Sequence, residues 1–241
     1  MTALVDWELH RRYRGHSASK RDAAVAKARA DFLMDAPGNP AWMIAVVRDK
    51  KVGMLIKASD DPNVKWFNAP YDADIQIGDY IRLNDMVWLC TDLSDTDDVT
   101  LKGRIYECNL NLQYQLGTPE IYSAWGYFDP GVYSTTTHGN QDAHIGYQQF
   151  KLMLPYNEHT RQLQRDKRIA TEVLYHPDGH KELRCYIITS NDSLGSSFGK
   201  GRVLDLKLRE GLSSQSDNVD LMICDYIGTD APGDDVGGGW V

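Results

Sequence analysis

Apolar positions along the chain keep two different periods, and the change falls near residue 42. In "SASKRDAAVAKARADFLM", Val25, Ala28 and Phe32 recur at helical spacing among good helix formers. Ser19 followed by Asp22 reads as a variant capping box, and Pro37 and Pro40 stop the helix. From Met43 the period is two. "MIAVVRDKKVGMLIK" predicts two strands around a polar turn at 48–51, and "IQIGDYIRLNDMVWLC" predicts a hairpin turning at Asn84-Asp85. "RIYECNLNLQYQL" predicts one long strand with Tyr106, Cys108, Leu110 and Leu112 inward and Ile105, Glu107, Asn109 and Asn111 outward. The alternation then fades over 118–148, a stretch rich in Gly, Ser, Thr and Tyr. A connection this long is a linker or a functional loop. Strands resume with "FKLMLPYNE". A hairpin over "RIATEVLYHPDGHKELRCYIITS" closes at Pro177-Asp178-Gly179, and "RVLDLKLREG" and "VDLMICDYI" complete the set.

The chain also repeats itself. At an offset of 98 (200 − 102), "VWLCTDLSDTDDVTLKGRIYECNL" lies over "CYIITSNDSLGSSFGKGRVLDLKL" without a gap. Trp88 meets Tyr186, Thr91 meets Thr189, and Lys-Gly-Arg meets Lys-Gly-Arg; apolar positions keep their character while the polar loops drift. In each copy the glycine before arginine suits a bulge or a tight strand entry. The expected fold is mostly β: two tandem related small β-barrel or sandwich modules preceded by an N-terminal helical segment. Without an immunoglobulin-type cysteine pair, small barrels are favoured. The expected division is a helical docking segment at 1–42, a first module at 43–117, a connecting loop at 118–148, a second module at 149–228 and a flexible acidic, glycine-rich tail at 229–241.

Charge adds an asymmetry. The 241 residues carry a net charge of −8, which disfavours bulk nucleic-acid binding. Yet Arg11, Arg12, Arg14, Lys20, Arg21, Lys27 and Arg29 crowd one end, and "GTDAPGDDVGGGWV" makes the other acidic. Opposite ends of opposite sign suit contacts between subunits, as they suit a solvated helix face. No apolar run is long enough to cross a bilayer, and the N-terminus does not read as a signal peptide. Cys90, Cys108, Cys185 and Cys224 sit in apolar runs with no close pair, so reduced, packed thiols are expected rather than a disulfide framework.

Catalytic spacings are missing. There is no Gly-x-Ser-x-Gly, no His-Glu-x-x-His and no Gly-x-Gly-x-x-Gly after a strand. "GSSFGKG" has the wrong spacing for a phosphate loop. His176, His180 and Cys185 are a fragment of a zinc ligand set. Asp92, Asp95, Asp97 and Asp98 lack the glycine and distal glutamate of a calcium loop. His138, His144, Asp142 and Glu120 lie in the central segment as acid–base candidates. No cofactor or metal is expected, and no enzymatic activity. Trp125, Tyr127, Phe128 and Tyr133 are candidate contact anchors for protein or sugar rings, or packing between the modules. Trp240 and Val241, on a glycine tether, are built like a hook, and Arg11, Arg12 and Arg14 complete the expected partner-binding set.

Taken together, the basic helix with its Pro-rich break, "DIQIGDYIRLNDMVWLCTDLSDTDDVTLKGRIYECNLNLQYQ", "FKLMLPYNEHTRQLQRDKRIATE" and "DNVDLMICDY" resemble tailed-bacteriophage virion proteins of the head-closure or head–tail connector type. The resemblance spans most of residues 15–226 and rests on strand and turn patterns. It implies a structural protein of the virion neck, assembled in the host cytoplasm as a homo-oligomeric ring. Its partners would be the portal and adjacent neck or tail proteins, with at most passing contact with packaged DNA. The alternative is a carbohydrate- or protein-binding β-module of a phage tail or capsid-decoration protein, with the 121–133 aromatics as stacking platforms. An enzyme using the 117–147 loop is a third reading.

Overall fold

The structure is a computed structural model and describes residues 20–94, 98–131, 149–193 and 201–228. Helix α1 (Lys20–Asp35) runs into a 3₁₀ turn at Ala36–Gly38, where Pro37 ends it. Twelve strands follow: β1 (Trp42–Val47), β2 (Lys50–Ala58), β3 (Val64–Pro70), β4 (Tyr80–Leu83), β5 (Met86–Ser94), β6 (Thr100–Glu107), β7 (Leu110–Gln115), β8 (Ile121–Asp129), β9 (Phe150–Pro155), β10 (Arg168–Tyr175), β11 (Lys181–Asp192) and β12 (Val203–Gly211). The fold is mostly β, with two barrel-like modules of six strands in tandem and one helix at the front.

The turns obey local chemistry. Arg48 and Asp49 both have positive φ, as do Asn84 and Asp85, so each pair makes a two-residue turn whose twist matches its flanking strands. Gly179 takes φ +85° to close the β10–β11 hairpin, and the Asp178 side chain accepts the His180 N–H. Helix α1 presents the expected face: Val25, Ala28 and Phe32 are half-buried while most of its other residues are exposed. Phe32 meets Trp42 edge-on at 6.3 Å, and the Arg29 guanidinium lies 3.8 Å from the Tyr71 ring centroid.

The first module closes as a barrel in the order β1-β2-β3-β6-β5-β4, with β4 returning to β1 at Val46↔Arg82 and Val47↔Ile81. The second is a six-stranded sheet that reads β7-β8-β9-β12-β11-β10, the same order one module later. Its end strands β7 and β10 lie side by side, with no ladder between them among the described residues. Phe67, Ile81, Trp88 and Ile105 fill the first core; Leu152, Ile169, Tyr186 and Leu208 hold the corresponding ladder positions in the second.

The ladder also shows which part of the internal repeat is structural. β5 bulges at Thr91 against β6, and β11 bulges at Thr189 against β12. Each threonine hydroxyl donates across its bulge, Thr91 Oγ1 to Arg104 O at 3.3 Å and Thr189 Oγ1 to Lys207 O at 3.0 Å. On these first strands the offset is 98 (189 − 91), as the sequence reads; on the second strands it is 103 (207 − 104), because the β11–β12 connection is longer. Lys102-Gly103-Arg104 is therefore equivalent to Asp205-Leu206-Lys207. The Lys-Gly-Arg match is a coincidence laid over a real repeat. Gly103 lies inside β6, where a Cβ would strike the Phe67 ring, and the bulge is on the facing strand.

Other expectations change as well. The long strand at 104–116 is two strands, and the module boundary falls between Glu107 and Leu110, ahead of the expected 117. Ile105, read as outward, is fully buried in the first core, whereas Leu110 and Leu112 belong to the second. The segment 118–148 carries strand β8, and β3 went unread. Ser123 and Gly126 in β8, and Asn68 and Pro70 in β3, hide strands that tertiary pairing supports. Finally, "VDLMICDYI" is a small turn-rich lobe with one bridge, Asn218↔Ile223. Met222 and Asp225 have positive φ, and the Asn218 side chain accepts the Leu221 N–H, which together exclude a continuous strand.

Candidate functional site

The most elaborate constellation is the junction between the modules. It forms because strand faces that alternate outward meet one another instead of solvent. Along β8, Ile121, Ser123 and Trp125 are exposed, yet Tyr127 on the same face is only 6% exposed because the first module covers it. β5 and β6 contribute Leu89 and Tyr106, and β9 and β12 contribute Met153 and Val203. Tyr106 and Tyr127 meet with ring centroids 5.0 Å apart. Tyr80 donates its hydroxyl to the Trp125 carbonyl at 2.8 Å. Asn109, in the link between the modules, acts as a one-residue strand: its amide donates to Phe128 O at 2.8 Å and its carbonyl accepts from Phe128 N at 2.7 Å.

Backbone stitches the junction as well. Ile77 and Gly201 form a parallel bridge between the modules. Gly201 has φ +82° and Gly78 φ +93°; a Cβ on the first would collide with Ile77 O, and one on the second with Arg202 O. Only glycine fits either conformation, and only glycine lets the two chains approach this closely.

Two clefts open between the modules, the larger of them beside this bridge. The larger, about 440 Å³, is lined by Arg48, Asp79, Tyr80, Arg82, Tyr156 and Arg202 among others. Arg48 is paired with Asp79 at 2.8 Å and Asp74 at 3.3 Å. The smaller, about 240 Å³, holds Arg104, Lys151, Asp192 and Asp205, with Lys151 on Asp205 at 2.8 Å. The Nε of Arg104 and one oxygen of Asp205 are buried without a protein partner among the described residues, which marks a place for ordered water. Burial raises the Cys108 thiol and the Tyr127 phenol to about 12, and raises Tyr80 and Cys90 further. These groups stay protonated at neutral pH and are weak nucleophiles. The arrangement is suited to polar recognition and to holding two modules in fixed register.

A second constellation anchors the C-terminal lobe. Arg168 on β10 grips Asp217 at 2.5 Å and Asp225 at 2.6 Å, and donates to Leu212 O at 2.9 Å. Hydrogen bonding to Asp225, with further help from Asp217, raises the Arg168 pKa against the effect of burial. Burial pushes Asp217 up, but the backbone N–H groups of Asp225 and Ser214, together with Arg168, outweigh it and hold the carboxyl below its usual range. Beside Asp217 lie Cys185 and Cys224, whose sulfurs are 3.2 Å apart; among the described residues these three alone cluster closely enough to share a metal ion.

The expected site residues scatter. Trp125 is 42% exposed at the rim of the junction, Tyr127 is buried within it, and Phe128 is half-buried against Phe150 and Tyr186. Arg11, Arg12, Arg14, Tyr133, Trp240 and Val241 lie outside the described residues, as do Asp95, Asp97, His138, Asp142 and His144. His176 and His180 stack on each other at the hairpin mouth, with His176 3.0 Å from Glu182, while Cys185 clusters elsewhere. Asp98 pairs with Arg21 at 2.7 Å and Glu120 accepts from Tyr122 at 2.5 Å. The Cys185–Cys224 pair was missed because 39 residues separate its members. No family model, curated protein or solved structure matches the chain.

Proposed function

We propose that this chain is a structural component of a tailed-bacteriophage virion, a head-closure or head–tail connector protein. It assembles as a homo-oligomeric ring between portal and tail. The observation that carries the reading is the junction: like modules are locked by a backbone bridge, reciprocal glycine contacts and a shared apolar core. A neck subunit needs this, because it must hold one neighbour above and one below at a set distance while DNA passes. Exposed apolar groups then serve as contact points. Leu33 and Met34 at the end of α1, Ile44 on β1, Trp66 on β3 and Trp125 on β8 are all substantially exposed. The net charge of −8 lets DNA slide past rather than stick.

The carbohydrate-binding alternative needs several of the 121–133 aromatics in one cleft. Of the four described, Tyr122, Tyr127 and Phe128 are committed to packing and Trp125 stands exposed without them. The test is the copy number of the protein in purified particles, measured by quantitative mass spectrometry against portal and major capsid proteins. A ratio near that of the portal ring is expected. A ratio near that of the capsid protein makes it decoration, and absence from the particle overturns the structural reading.

A further inference from the structure

We propose that Cys185 and Cys224 form a reversible disulfide that latches the C-terminal lobe, residues 213–227, onto β11. Their sulfurs are 3.2 Å apart, and both residues are almost fully buried in a small apolar cluster with Ala170 and Leu183. One cysteine is on a long strand and the other on the lobe, so a bond between them ties an element of regular structure to one held mainly by side chains. Cys90 and Cys108 sit in the first core and the junction, so the pairing is unambiguous.

A metal ion is the competing use of these atoms. Zinc seeks four ligands, and two sulfurs at ~2.3 Å from a tetrahedral ion stand roughly 3.8 Å apart. Here they are closer, and the third donor is already occupied: the oxygens of Asp217 accept from Arg168 and from the N–H groups of Ser214 and Asp225. A cation would also have to sit beside the Arg168 guanidinium. Cys224 hydrogen-bonds to Cys185, which lowers the Cys185 pKa against burial and the Asp217 charge, with help from Arg168, and raises that of Cys224, so Cys185 is the attacking sulfur.

The oxidant is a low-molecular-weight disulfide, which reaches the pair when the lobe lifts. The Cys185 thiolate attacks one of its sulfurs, forming a mixed disulfide and expelling one thiolate, which takes up a proton. Cys224 loses its proton and attacks the Cys185 sulfur, and the second small thiol departs. In sum, two protein thiols are oxidised to one disulfide and one small disulfide is reduced to two thiols. The latch matters because the lobe's other ties are few. They include Arg168 with its two aspartates, the Ser213 hydroxyl donated to Glu182, the Ile227 N–H donated to Gln115, and the packing of Val219 and Met222.

The experiment incubates the full chain with oxidised glutathione, alkylates free thiols in denaturant and digests with trypsin. Cleavage after Arg184 and Arg209 places the two cysteines in the peptides 185–200 and 210–241. The expected product is these two joined, with Cys90 and Cys108 alkylated. Chymotrypsin, which has Leu221 and Tyr226 as targets, should then cut the lobe about tenfold more slowly than in the reduced chain, with dithiothreitol restoring the rate. Cys224→Ser should lose both effects, and Cys185→Ser serves as the second variant. Glutathione adducts without a joined peptide, or joined peptides of random pairing, overturn the proposal. So does stoichiometric zinc binding by the reduced wild-type chain that blocks the oxidation.

Discussion

Asp217 shows how much one side chain can organise. It accepts from Arg168 and from two backbone N–H groups, and its own side chain is 2% exposed. Replacing it with asparagine keeps the shape but removes the charge opposite Arg168, which Asp225 still faces. Chemical denaturation at neutral pH should show a loss of about 1–3 kcal/mol. The pH dependence has a definite sign. The folded-state pKa is depressed, so the unfolded chain takes up the proton first as pH falls. The stabilisation is present above the ordinary carboxylate pKa of about 4 and is lost as pH drops through the folded value. The difference in melting temperature between wild type and Asp217→Asn should therefore be constant near neutrality and shrink below pH ~4. A gap that holds constant into strong acid would contradict the assignment. Gly201 is the second critical residue. Gly201→Ala forces a Cβ toward Ile77 O at a left-handed φ, and equilibrium unfolding should show a cost of about 2–4 kcal/mol.

At the scale of elements, the paired bulges are the informative feature. A bulge re-aims a strand, and both modules place theirs at a threonine whose hydroxyl bonds across the ladder. Thr189→Val keeps the branched shape and strands the Lys207 carbonyl. It should cost about 1 kcal/mol, read as a lower denaturation midpoint with an unchanged slope. Asn109 has a larger task, since both its polar atoms replace a missing strand partner for Phe128. Asn109→Ala should cost about 2–3 kcal/mol, and amide exchange at Phe128 should rise more than in the centre of β11. The strands that sequence reading found, β1, β2, β4, β5, β9, β10, β11 and β12, have alternating or strongly apolar runs bounded by turn residues. β3 and β8 have turn residues on either side, but Asn68 and Pro70 in one and Ser123 and Gly126 in the other interrupt the apolar run, and the lobe over 213–227 imitates a strand in composition while its aspartates and Asn218 build turns.

For the whole molecule, the shared junction core makes unfolding of one module costly for the other. Wild type should unfold in a single transition, followed by intrinsic fluorescence and by circular dichroism. Gly201→Val, which drives the bridge apart, should split this into two transitions, and coincident curves for that variant would show that the junction does not couple the modules. The proposed function depends on that coupling. A connector whose modules swing freely cannot set the distance between its neighbours.

Periodicity and turn chemistry were enough to announce a β protein in two related halves, with a helix before them, because side-chain alternation and positive-φ turns are local properties. The threonine of the repeat was legible, and so was the half-buried stripe of α1. Locality also explains the failures. Alternation records that one face of a strand is apolar but not which core receives it, so Ile105 was assigned outward and the module boundary fell ten residues late. The second burial of Leu89, Tyr106 and Tyr127, the approach of Gly201 to Ile77, and the meeting of Cys185 with Cys224 and Asp217 join residues far apart in the chain. Such contacts exist only once the sheets have formed and docked, and they are where this protein keeps its junction and its latch.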